Sequence, residues 1–527
     1  MNDLLLSLLN ANASQWQQAV SNASGKRVLI ATSMAIYDHA AILERLLAVS
    51  LVFRGAEVEF LLCDNALPAC QMTKLHGCDP EKLLSMDTTP RCMKCVDLAK
   101  RLFDPLGLPV HRFSQFLVDG DYEEADDVSR TTPADKIQDY VLEGAAIGEH
   151  AYAGALRYYG RGDLQGEPHG EDILRRFFRS SLLTAAALKS LYRMKTFDVA
   201  LFNHGIYIPQ GVIGEVTRKQ RIRVVNWNAS YRKNTFIFSH NDTYHHTMID
   251  EPTSVWDTLD LDAEMERKLD DYLFSRRDGS SDWIWFHEHP ESNTSELGKE
   301  FGIDWSKPCI GMLTSVMWDA QLHYKANAFP SMLDWVLHTI EYFRRRPDLQ
   351  LILRIHPAEV QGMVPSRQKI ADEIVRLIPD LPGNVAIVKP EHQASTYALM
   401  DRCDSVIIFN TKTGIELSAA GIPVIVAGEA WIRSKGFSWD AKDPVEYDLL
   451  LDRLPIKQQL HTELKMRAKR YAYHFFFRRM IDVPFIESPE KYKFELSISN
   501  LNDLQAGQCR GLDVICNGIL TGEPFIQ

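Results

Sequence analysis

Four short apolar runs in the second half of the chain, residues 309–313, 351–355, 405–409 and 423–427, each end in a polar or glycine-bearing turn. The turns are Thr314-Ser315, His356-Pro357, Asn410-Thr411-Lys412-Thr413-Gly414 and Gly428-Glu429. Strands of this kind with helical stretches between them build a parallel sheet, whose carboxyl edge collects every one of these turns. Ligands of open α/β sheets bind outside that edge. The residues gathered there suit a phosphorylated ligand.

The alternation is regular through this half: strand 309–313, helix 330–345, strand 350–355, helix 366–378, strand 385–388, helix 394–401, strand 405–409, helix 414–420, strand 423–427. This is a doubly wound pattern. The first half opens with an apolar run, 27–32, a helical stretch from His39 to Phe53 closed by Gly55, and a strand, 57–62, that delivers Cys63 and Asp64. This βαβ unit lacks a GxGxxG turn, so a dinucleotide site is not indicated. Residues 120–127 are acidic and read as a solvated loop; 134–194 is mostly helical, interrupted at 160–170. Two further strands, 198–202 and 223–226, follow, the first ending in Asn203-His204-Gly205. Polar and turn-like stretches at 275–281 and 290–294 place the domain boundary near residue 300. The expected organisation is a Rossmann-like domain over 1–300 with a cysteine-rich insertion, a second domain over 301–455, and a helical tail over 456–527 returning to the first domain.

A length of 527 residues is too great for one ordinary core, which supports two domains. The net charge of -12 argues against a nucleic-acid binder, whose footprint is basic. No apolar run is long enough to cross a membrane, and Leu4 to Leu9 reads as a short amphipathic helix rather than a secretory signal. The expected location is the cytoplasm. A basic-aromatic block from Lys465 to Arg479 reads as a helix packing on the first domain or a peripheral contact with the inner membrane.

Three constellations carry chemistry. On the second sheet's edge, Arg354 and His356 are cations able to neutralise a phosphate. Thr411, Lys412, Thr413 and Gly414 lead into a helix whose amino end is an anion site, and Glu416 lies within reach of a ribose hydroxyl pair. The plainer alternative is that Thr411 and Thr413 cap the helix and Glu416 complements its dipole. A second constellation is the candidate general base: His204 first, Asp319 second, Asp38 and His39 third. No Asp-x-Asp stands at a strand end, so a metal-held diphosphate is not indicated. The third is cysteine. Five of nine cysteines lie between residues 63 and 95, and Cys63, Cys70, Cys92 and Cys95 form a four-thiolate set suited to structural zinc or an iron–sulfur cluster, with Cys78 as a bystander. The alternative is loop thiols without metal. His287-Glu288-His289 lacks helix periodicity and is weak as a metal site, while His240, His245 and His246 fit the lining of an acceptor site better than a ligand set.

The segments Arg354-Ile355-His356-Pro357-Ala358-Glu359, Thr411-Lys412-Thr413-Gly414-Ile415-Glu416-Leu417 and Gly421-Ile422-Pro423-Val424-Ile425-Val426-Ala427-Gly428 resemble the C-terminal half of bacterial capsule-polysaccharide biosynthesis glycosyltransferases. The resemblance extends to Asn203-His204-Gly205, Trp318-Asp319-Ala320-Gln321 and the cysteine stretch. It implies a GT-B architecture, two Rossmann-like domains facing a cleft, with a nucleotide-sugar held mainly by the second. In the related Kdo- and sialic-acid-transferring enzymes a His-Pro turn and a Ser/Thr-rich turn grip the nucleotide; here those are His356-Pro357 and Thr411–Thr413. The implied activity is transfer, by inversion, from a CMP- or UDP-linked donor to a glycan or lipid-linked glycan acceptor. The His-Pro turn favours CMP. Lys412 stands where many such turns have a small residue. The alternatives are a nucleotide-sugar epimerase and a non-catalytic scaffold with a structural metal in a polysaccharide assembly complex.

Overall fold

The computed structural model describes residues 3–277, 281–286, 289–320, 326–456 and 460–527. His287, Glu288 and Gln321 lie outside the described residues. The chain divides into two compact units. One comprises Met1–Tyr159, Leu164–Thr247 and Phe477–Gln527, the other Gly160–Asp163 and Met248–Phe476. The division at Met248 falls before the break expected at residue 300. Each unit is α/β and Rossmann-like, the two bodies from which a GT-B-like chain is built.

The first unit's sheet runs Met480–Asp482, Thr235–His240, Arg223–Ala229, Val199–Asn203, Arg27–Ser33, Glu57–Leu62, Val110–Arg112 from edge to edge. The last five strands are parallel; Thr235–His240 runs antiparallel to Arg223–Ala229, and Met480–Asp482 antiparallel to Thr235–His240. Every residue of Arg27–Ser33 after Arg27 is buried, as expected of a strand covered on both faces. The sheet grows one way from Arg27–Ser33 and the other way from Val199–Asn203, so its order reverses between them.

The 25-residue helix Gly170–Met194 packs on Ile147–Tyr159 and Gln210–Lys219 through Phe177, Phe178 and Leu183. Each such buried side chain contributes roughly 1.5–3 kcal/mol. Residues 120–127, expected as a solvated loop, lie instead within the helix Asp119–Thr131. Asp121 accepts the Val118 amide, and the early acidic residues complement the helix dipole. At the other end Arg175 donates to the carbonyls of Ser129 and Thr132. The acidity is that of one helix face, while Ala125 and Ser129 turn inward.

The second unit's sheet is wholly parallel, in the order Val385–Val388, Gln350–Arg354, Cys309–Leu313, Ser405–Ile408, Val424–Val426, Trp439–Asp440. In chain order this is 3-2-1-4-5-6, with the reversal between Cys309–Leu313 and Ser405–Ile408. The observed helices Met332–Arg344, Ile370–Leu377, Thr396–Met400 and Thr413–Ala420 fall where the alternation placed them.

The basic-aromatic block is helix Thr462–Tyr473 and the π-helical segment His474–Arg479 that continues it. Its helix packs on Thr413–Ala420 and Ala263–Ser275, and Tyr471, Phe475 and Phe476 are fully buried. From Phe477 onward the chain belongs to the first unit, adding the strand Met480–Asp482 and the helix Arg510–Thr521, which packs on Asp38–Val52. Among the described residues no helix is long and apolar enough to cross a membrane.

Candidate functional site

At the end of Cys309–Leu313 the Thr314 amide donates to the carbonyl of Arg354, the last residue of Gln350–Arg354 (3.3 Å), carrying the ladder one residue past the first strand. The next amide across, that of His356, donates instead to the Thr314 hydroxyl at 3.1 Å. One side chain thus satisfies the backbone group that leaves the sheet as the chain turns into Pro357. The His356 ring folds back over its own turn, its Nδ1 accepting the Ala358 amide at 3.0 Å, which leaves the ring proton on Nε2. The Phe286 ring meets it edge-on, centroids 5.3 Å apart.

Across the reversal point the Ser315 hydroxyl donates to the Asn410 side-chain carbonyl. Thr411 then opens the helix Thr413–Ala420: its hydroxyl accepts the Thr413 amide (3.4 Å) and its carbonyl the Gly414 amide (3.3 Å). The Thr411 and Thr413 hydroxyls are 3.3 Å apart. Thr314 with His356, Ser315 with Asn410, and Thr411 with Thr413 are three linked pairs on the carboxyl edge, flanking the point where a ligand crevice forms in such sheets.

The charged candidates sit deeper. Arg354 is 1% exposed and donates to the carbonyls of Lys389 and His392 and to the Thr396 hydroxyl, so its guanidinium fastens the loop after Val385–Val388. Glu416 accepts from Lys412 (3.0 Å) and from the Tyr397 hydroxyl, and it forms an ion pair with Arg276 Nε at 2.8 Å. Arg276 in turn pairs with Asp282, which also accepts from Tyr272. Burial by itself raises the Glu416 pKa, but Arg276, Lys412 and Tyr397 overcome it and hold the carboxyl at about 2. Glu416 and Lys412 are thus members of a buried four-charge network behind the helix end.

His204 holds a left-handed backbone (φ 61°) after Val199–Asn203, and its amide donates to the Trp227 carbonyl at 2.9 Å. Its ring lies 5.2 Å from that of Tyr207 and 6.3 Å from that of His245. Burial, with His204 and His246 beside it, holds the His245 pKa well below the usual value. Asp319 is exposed on the turn after Trp318, whose indole donates to the Ser366 hydroxyl at 3.1 Å. His39 is tied to the Tyr492 carbonyl (2.9 Å), and His240 to that of Glu523 (2.8 Å). Asp38 begins the helix Asp38–Val52.

Cys63, Cys70, Cys92 and Cys95 line one cavity of the first unit, and Cys78 is not among its walls. Among the described residues no group of three or more His, Cys, Asp or Glu side chains is placed to hold a metal ion.

Two features escaped the sequence reading. In the Arg276–Asp282 half of the buried network, Arg276 lies in the stretch read as a polar boundary and Asp282 just beyond it, and nothing there signals burial. Glu44, by contrast, interrupts the apolar helix Asp38–Val52, and that interruption is a visible signal. It is 3% exposed and accepts from the Thr32 hydroxyl and the Trp227 indole, beneath the turn that carries His204.

Residues 306–462 match the model of a family described as "Capsule polysaccharide biosynthesis protein". The match spans every strand of the second unit's sheet. No curated protein matches the chain. Among solved structures the chain is similar to KpsC, beta Kdo 2,4 transferase, of Thermosulfurimonas dismutans, with 12% identity over 58% of this chain and 87% of that one, TM-score 0.36. It is also similar to UDP-GlcNAc 2-epimerase from Neisseria meningitidis, with 10% identity over 85% of this chain and 98% of that one, TM-score 0.25. A third is the spinosyn rhamnosyltransferase SpnG, with 11% identity over 85% and 95%, TM-score 0.27.

Proposed function

We propose that the protein is a nucleotide-sugar-dependent glycosyltransferase that moves a sugar onto a surface (capsular) polysaccharide acceptor. The observation that carries this reading is the reversal point of the second unit's sheet. The hydroxyls of Thr314, Ser315, Thr411 and Thr413, the Asn410 amide and the His356 imidazole gather there, within the stretch that matches the capsule-biosynthesis family.

In this reading the donor's phosphate sits at the amino end of Thr413–Ala420, taking hydrogen bonds from the hydroxyls and from His356 Nε2–H. Arg354 and the Arg276–Glu416–Lys412 network hold those turns in place, so the donors stand fixed before the leaving group's charge develops. His204 is assigned as the base that takes the acceptor hydroxyl's proton, with Asp319 second. The displacement inverts the anomeric carbon. The enzyme works in the cytoplasm, meeting a glycan or lipid-linked acceptor at the inner membrane.

Calorimetric titration with CMP, UDP, GDP and ADP tests the donor site. One nucleotide is expected to bind selectively. His356→Ala should weaken it roughly tenfold to a hundredfold, the worth of a hydrogen bond to a charged group. His204→Ala should abolish transfer while leaving nucleotide affinity intact. Binding of none of the four nucleotides overturns the reading, and turnover of a nucleotide-sugar without acceptor marks an epimerase instead.

A further inference from the structure

The four cysteines at 63, 70, 92 and 95 come from three separate pieces of chain. Cys63 directly follows the strand Glu57–Leu62, Cys70 lies further along the loop, and Cys92 and Cys95 stand on the first and second turns of the helix Pro90–Leu102. The fold brings all four to the walls of one cavity, completed by apolar Met34, Leu67 and Pro209 and by Arg91. The space between them is about 30 Å³. That is roughly two to three times what one water needs on the same measure.

The sulfurs are also supplied with donors. The backbone amides of Asn65 and Leu67 lie beside Cys63, that of Met72 beside Cys70, and those of Ala35 and Ile36 beside Cys95. The Thr89 hydroxyl lies 3.3 Å from the Cys92 sulfur. A buried neutral thiol packs as a small hydrophobe and calls for no such partners. Amide donors converging on sulfur are what a thiolate needs, and hydrogen bonds to cysteine sulfur accompany and tune iron–sulfur ligation.

The choice of cation follows from the geometry. A single zinc draws four sulfurs to roughly 2.3 Å from one point. The four cysteines instead line a cavity with room for more than a lone ion fills. We propose that Cys63, Cys70, Cys92 and Cys95 ligate a cubane iron–sulfur cluster in the first unit. Four thiols and a [4Fe–4S]²⁺ core give the tetrathiolate cluster of charge −2 and release four protons, so charge balances with no change of oxidation state. Arg91 on the wall offsets part of the residual negative charge. The cluster closes the 63–95 segment onto the carboxyl edge of the sheet, and the assignment is independent of the donor chemistry in the second unit.

The test is iron and acid-labile sulfide analysis of the full-length chain purified without oxygen, with visible absorption before and after dithionite. About four irons and four sulfides per chain, with absorption that bleaches on reduction, are expected. Cys92→Ser and Cys63→Ser should lose the cluster, and Cys78→Ser should keep it. Should the ligand variants fail to fold, wild-type chain stripped by oxidant and chelator should expose four additional thiols to alkylation. One zinc per chain without sulfide overturns the assignment. So does a metal-free chain whose four thiols alkylate from the outset.

Discussion

Glu44 sits in an otherwise apolar helix, and burial pushes its carboxyl up to about 8 against the opposing pull of its bonds from Thr32 and Trp227. The folded chain therefore holds a proton there that the unfolded chain, at the ordinary 4.5, releases. The resulting stability is fully present below about 4.5 and is lost as pH rises toward 8. Denaturant midpoints of wild type should fall over that window relative to Glu44→Gln, which carries no titrating proton; parallel curves would show that Glu44 is ionised when folded. Glu416 behaves in the opposite sense. Its folded pKa of about 2 lies below the usual 4.5, so its contribution is present above 4.5 and lost as pH falls toward 2. Glu416→Gln leaves Lys412 and Arg276 short of a counter-charge and should cost about 3–5 kcal/mol at neutral pH, read from chemical denaturation. The sequence shows Glu416 beside a promising turn. It does not show Arg276, Asp282 and Tyr397 closing around it, because those partners come from distant parts of the chain.

The turns at the sheet edge are set by close packing as much as by side-chain chemistry. A β-carbon on Gly428 would lie 2.7 Å from the Phe409 carbonyl oxygen and 2.9 Å from the Asn327 side chain, which accepts the Glu429 amide. Gly428→Ala should therefore push apart the turns bearing Asn410 and Glu429, costing about 1–3 kcal/mol in thermal or chemical unfolding. Nucleotide affinity should fall with it, since Asn410 holds Ser315 across the reversal point. Strand and helix existence in the second unit was legible because short apolar runs and helical spacers repeat without interruption. The helix Asp119–Thr131 was not, because its exposed face is dense in carboxylates and its inward face is made of small residues such as Ala125 and Ser129. Periodicity is weak where the buried side chains are small.

At the scale of the molecule, the C-terminal segment is structural in the first unit. It supplies that sheet's edge strand and a helix anchored by Arg54, which pairs with Asp513 and donates to the Leu504 carbonyl at 2.8 Å. A β-carbon on Gly511 would meet the Asp482 carbonyl at 1.8 Å, so this helix docks only with glycine at that point. Gly511→Val should release protection from amide exchange in Met480–Asp482, Arg510–Thr521 and Asp38–Val52, leaving the amides of Gln350–Arg354 and Ser405–Ile408 unchanged. Loss of protection in both units would mean that they unfold together.

The sequence by itself determined the α/β class, the run of strands from Cys309 to Val426 and the turns that carry the hydroxyls and His356, since strand length, apolar runs and turn residues are local properties. Only the tertiary structure decided the order of those strands, and with it the reversal point at which Ser315 meets Asn410. It also set Arg354 against the loop after Val385–Val388, joined Lys412 and Glu416 in a buried charge network, and drew four distant cysteines around one cavity. These outcomes depend on which buried charges find partners and which donors find sulfur, and such pairings are fixed by proximity in the folded chain, which spacing along the sequence does not encode.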